Sequence, residues 1–79
     1  MPTVFRQAGF PIVIYPDDHQ PIHVHVKKAG SEVKINALTL ELMSVKGAMS
    51  NKDIRRAVEM VAQEQPLIIE KWSELNGQN

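Results

Sequence analysis

All three histidines of the chain fall within the ten residues Asp17-Asp18-His19-Gln20-Pro21-Ile22-His23-Val24-His25-Val26, with two carboxylates beside them. The end of this run alternates as a half-buried strand does, which sets His23 and His25 on one face and Val24 and Val26 on the other. Three readings fit it. His23 and His25 at i and i+2 on a strand, with His19 from the preceding turn, make a candidate metal set. Neutral imidazole, with the carboxylate of Asp17 or Asp18, suits a divalent ion such as Zn, Ni, Mn or Fe. Imidazoles with an ordinary pKa near ~6.5 also divide the roles of proton acceptor and donor at neutral pH, with a nearby carboxylate orienting one ring. That second reading makes His19, His23, His25 and Asp18 the candidate catalytic residues, in the manner of a metal-independent ribonuclease, although no nucleophile motif or oxyanion nest accompanies them. The third reading is structural. Aspartates are ordinary turn formers, and histidines on the wet face of an antiparallel sheet need no chemistry to explain them.

Positioning these residues requires a sheet. Thr3 to Gln7 and Ile12 to Tyr15 are short β-branched and aromatic runs separated by Gly9, which predicts a first hairpin with Pro11 at an edge or outside the ladder. Pro16 and Pro21 bend the chain around the aspartates, and Ile22 to Lys28 resumes as a strand. A reversal around Lys28-Ala29-Gly30-Ser31, through a loop of two or four residues, pairs Lys27 with Glu32, His25 with Lys34 and His23 with Asn36. In that register Val24, Val26, Val33 and Ile35 share the apolar face. His23, His25, Lys27, Glu32, Lys34 and Asn36 share the other, and a slip of one residue scrambles both. Lys34 and Asn36 therefore join the histidines as candidate ligand-binding residues, Lys34 for an anion. A two-residue turn here is uncomfortable for Ala29, which would need φ > 0.

Leu38 to Val45, with Leu40 and Leu42 alternating with Glu41, predicts a further strand that ends before Gly47. The period then changes. Ser50 reads as an N-cap with Asp53 at the third helical position, and Ile54, Ala57, Val58 and Val61 form a helical stripe. Pro66 is harmless in the first turn of a second helix, whose stripe is Ile68, Trp72 and Leu75 and which Gly77 ends. The predicted fold is α+β: a small antiparallel sheet of three to five strands followed by two C-terminal helices on one of its faces. Trp72, Phe5, Phe10 and Tyr15 are expected to bulk out the core, with Met43, Met49 and Met60 filling gaps. Lys52, Arg55 and Arg56 open the first helix with positive charge, but an Arg55–Glu59 pair at i, i+4 is an equally good account of a solvated face.

With 79 residues the chain is read as a single domain over residues 1–79, close to the size at which one core folds without help. The absence of cysteine excludes disulfides and thiolate ligands and suits a reducing cytoplasm. Nine basic and nine acidic side chains cancel, so the electrostatic footprint of a nucleic-acid binder is missing. No run approaches the ~20 apolar residues of a membrane span, and the protein is expected to be soluble, cytoplasmic and not bound to membrane. A small core gains burial by association, either with a partner or with further copies of the same chain.

Met1-Pro2-Thr3-Val4-Phe5-Arg6, Gly9-Phe10 and Asp18-His19-Gln20-Pro21-Ile22-His23-Val24-His25-Val26, together with Lys52 to Trp72, resemble a small bacterial family of unknown function. Its members carry an Asn/Asp-His-x-Pro-Pro-His-x-His-Val signature. Asp18, His19, Pro21, His23, His25 and Val26 match that signature, and Ile22 stands where the family has a second proline. The resemblance implies one half of a two-gene module, since such proteins are often encoded beside a second small protein and proposed as toxin–antitoxin components. Two functions are therefore carried forward. One is an interaction protein that binds the neighbouring gene's product through its sheet edge and histidine face. The other is a small His-dependent metal-binding protein or ribonuclease-like enzyme.

Overall fold

The computed structural model describes residues 3–5, 10–16 and 21–76. Five strands precede two helices: β1 (Thr3–Phe5), β2 (Ile12–Ile14), β3 (His23–Lys28), β4 (Ser31–Asn36), β5 (Leu42–Lys46), α1 (Asn51–Gln63) and α2 (Gln65–Asn76). The strands form a single antiparallel meander in the order β1-β2-β3-β4-β5. This is the expected α+β fold.

The β3–β4 register is the predicted one, with His23 opposite Asn36, His25 opposite Lys34 and Lys27 opposite Glu32. Val24, Val26, Val33 and Ile35 are all fully buried in it, and a slip of one residue would divide the four between the two faces. Ala29 and Gly30 make the turn, at φ 47° and φ 82°. Both values lie in the left-handed region that a two-residue hairpin turn demands, so Ala29 accepts the strained conformation that its side chain disfavours.

The buried cluster joins those four strand residues and Ile12 and Ile14 of β2 to Ala57, Met60 and Val61 of α1 and Ile68 and Trp72 of α2. The helices therefore lie over this one face, α1 against β4 and α2 against β2. Ser50 caps α1, its Oγ accepting the Asp53 N–H at 3.1 Å. Asp53 turns its carboxylate outward to the Lys28 ammonium, 2.6 Å away, and ties the hairpin to the helix. That hydrogen bond, more than the partial burial that opposes it, holds the Asp53 carboxyl below its ordinary range. Pro66 sits in the first turn of α2 as expected, and Gln65 clamps the start of that helix by donating to the carbonyl oxygens of Ala37 and Leu38.

Three expectations fail locally. The strand predicted from Leu38 begins only at Leu42, because Asn36 Oδ1 accepts the N–H groups of Leu38 and Thr39 and folds the chain into a turn, with Leu40 at φ 67°. Met49 and Met60 do fill the core, but Met43 lies exposed on β5. The pair on α1 is Arg56–Glu59 at 3.9 Å rather than Arg55–Glu59. The expected positions of Gln7 and Gly77 lie outside the described residues, as does the Phe5 side chain. Among the described residues, no helix is long and apolar enough to cross a membrane.

Candidate functional site

Alternation along β3 sets His23 and His25 on the face opposite Val24 and Val26, but His23 does not stand in water. His23 retains only 6% of its exposure, as does Val13, which sits directly opposite His25 on β2. The expectation of two solvent-facing imidazoles is corrected. His23 Nδ1 lies 2.8 Å from the Pro21 carbonyl oxygen, and His25 Nδ1 lies 2.7 Å from Glu32 Oε2. Neither oxygen can donate, so both rings carry their proton on Nδ1 in these bonds. The Pro21 bond ties the ring to the bend before the strand. The Glu32 bond runs diagonally across the β3–β4 ladder, a spacing of the kind that long side chains bridge.

The rings form a row. Tyr15 meets His25 edge-on at 4.9 Å between centroids, His25 meets His23 at 5.2 Å, and His23 meets Trp72 of α2 at 5.3 Å. Edge-to-face spacings of this kind are favourable for aromatic pairs. At the Tyr15 end, Lys27 Nζ donates to the Tyr15 hydroxyl at 2.6 Å and stands 4.0 Å from Glu32 Oε1. The Tyr15 hydrogen bond, against a smaller opposing effect of desolvation and with help from Glu32, holds the Lys27 ammonium above its ordinary pKa.

The arrangement brings together His23, His25, Lys27 and Glu32, with Tyr15 closing one end. Glu32 lies on the histidine face of the predicted register, whereas Tyr15, expected in the core, is half-buried outside the buried cluster and meets His25 instead, through a β2–β3 pairing not predicted from the sequence. Lys34 stands opposite His25 as predicted and is half-buried. Asn36 spends its side-chain oxygen on the turn after β4. His19, Asp17 and Asp18 lie outside the described residues. Among the described residues, no three His, Asp or Glu side chains converge closely enough to hold a metal ion. The Nε2 atom of His25 is itself buried, so the edge of the ring that chemistry would use faces protein. A concavity of about 330 Å³ lies at the hairpin tip, sharing Lys27 and Glu32 with this arrangement and lined also by Lys28, Ala29, Gly30, Ser31 and Lys46.

The second candidate surface is the open edge of the sheet. Every residue of β5 is exposed, including Leu42 at 43%, Met43 at 40% and Val45 at 43%. Among the described residues β5 is the last strand of the sheet, and apolar side chains on such an edge are a template for another strand. No curated protein and no solved structure matches the chain significantly. The profile of one family, described as a domain of unknown function (DUF4160), matches residues 9–73, from before β2 into α2, and includes the whole histidine run. The match spans most of the fold, and the chain belongs to the DUF4160 family.

Proposed function

We propose that this protein is an interaction protein, one component of a two-protein, toxin–antitoxin-like module, and that it engages its small partner by strand addition at β5. The observation that carries the reading is the exposed apolar edge made by Leu42, Met43 and Val45. Strand addition draws affinity from main-chain hydrogen bonds and specificity from alternate side chains, and β5 offers both. The toxin–antitoxin part follows the resemblance of the histidine signature to its family, whose members are often encoded beside a second small protein.

A second reading keeps one supporting observation. The Glu32 carboxylate on His25 Nδ1 is how proteins orient an imidazole for proton transfer or for a metal. A His-dependent ribonuclease-like or metal-binding role would draw on His19, His23, His25 and Asp18. The burial of His23 and of His25 Nε2 weighs against it.

Co-expression with the product of the adjacent gene separates the two. The partner should co-purify with the wild type and with His25→Gln, and be lost with Val45→Asp, which changes an exposed residue and leaves the circular dichroism spectrum intact. Capture that survives Val45→Asp but disappears with His25→Gln would sink the edge reading in favour of the histidine face.

A further inference from the structure

We propose that, when no other partner holds it, the β5 edge is occupied by β5 of a second copy of this chain, joining two five-stranded sheets across a twofold axis. The proposal rests on the reading of β5 as an interacting edge and names its resting occupant.

The main chain supplies the first argument. Ala37 N–H donates to the Ile22 carbonyl oxygen, so in the alternation of an antiparallel ladder Ile35 and Val33 bond toward β3, while Glu32 and Lys34 bond toward β5. Asn36 N–H, bonded to the Glu41 carbonyl oxygen, fits the same alternation. Lys46 and Ser44, the β5 partners of Glu32 and Lys34, then turn their main-chain groups inward. Those of Leu42 and Val45 are left directed away from β4.

The irregularity in β5 supplies the second. Pairing passes from Lys34–Ser44 to Ile35–Leu42, so Met43 is an extra residue. In a regular strand Leu42 and Val45, three apart, would lie on opposite faces. Here each pairs with a residue of the buried face, Ile35 and Val33, so both lie on the helix side. Lys46, paired with Glu32, lies on the histidine side, and alternation places Glu41 there too.

The third argument is self-complementarity. A twofold axis between Met43 and Ser44 sets Leu42 opposite Val45, Met43 opposite Ser44 and Glu41 opposite Lys46, each pair occurring twice. Apolar meets apolar on the helix side, and opposite charges meet on the histidine side. A slip of one residue sets Lys46 opposite Leu42 and mixes the faces. A twofold interface requires a surface that complements itself, and this strand does so in its side chains, its faces and its exposed hydrogen-bonding groups. The opposite edge strand, β1, has three residues and less ladder to offer.

Sedimentation equilibrium of the full chain over a concentration series tests it. The expected mass at high concentration is twice the 8.9 kDa of the monomer. Glu41→Lys and Lys46→Glu each place like charges opposite one another at both ends of the interface and should weaken self-association by about tenfold. The double exchange Glu41→Lys/Lys46→Glu restores complementarity and should restore the dimer. Both positions of change are exposed, and circular dichroism checks that each variant is folded. A monomer at every concentration overturns the proposal, as does a dimer that ignores all three variants. If the chain is monomeric yet loses its partner with Val45→Asp, the strand-addition reading stands and self-pairing falls. If it dimerises with the expected charge pattern while partner capture ignores Val45→Asp, the reverse holds.

Discussion

His23 shows how much one side chain's surroundings decide. Its position on β3 was readable from alternation, and so were its neighbours across the ladder. Its 6% exposure was not, because the Trp72 ring that meets it comes from α2, far along the chain. The side chain is therefore a packed one with a part-buried hydrogen bond to Pro21, and truncating it opens a cavity and removes that bond. His23→Ala should lower stability by about 2–4 kcal/mol, seen as a lower urea midpoint with an unchanged slope. A loss below about 0.5 kcal/mol would mean that the ring stands in water after all. Glu32 was legible in principle: it shares the histidine face in the predicted register and lies one diagonal step from His25. His19 and Asp18, central to the metal and acid–base readings, lie outside the described residues.

At the scale of elements, local chemistry marked most boundaries. Ser50 as a cap, Pro66 in a first turn and the reversal at Ala29-Gly30 fall where the sequence places them. The segment before β5 differs, since the alternation of Leu40, Glu41 and Leu42 imitates a strand. The side chain of Asn36 overrides it by bonding the next two free N–H groups. The hairpin turn carries an evident cost, with Ala29 held at φ 47°. Ala29→Asn places a residue that tolerates this region in an exposed turn, and should stabilise the protein by about 0.5–1 kcal/mol. In a thermal melt that corresponds to a rise of roughly 2–8 °C. No rise would mean that Ala29 is relaxed at this φ.

At the scale of the whole molecule, two layers meet along one apolar seam, and Lys28–Asp53 is an ion pair that ties hairpin to helix outside it. Because Asp53 titrates below its ordinary value in the fold, its contribution is present at neutral pH and is lost as the pH falls through the folded-state value, which lies below 3.8. Asp53→Asn should therefore be less stable than the wild type at pH 7, with the gap closing as the pH falls below 3.8; chemical denaturation at a series of pH values reads it. A gap that persists unchanged in acid would place the effect elsewhere than in the charge. The sequence by itself determined the α+β class, the β3–β4 register and the helix starts, because alternation, caps and prolines act over a few residues. Only the tertiary structure decided that His23 is buried and that, among the described residues, β5 ends the sheet. Period-2 alternation says which side chains share a face. It does not say what lands on that face, nor where the sheet stops.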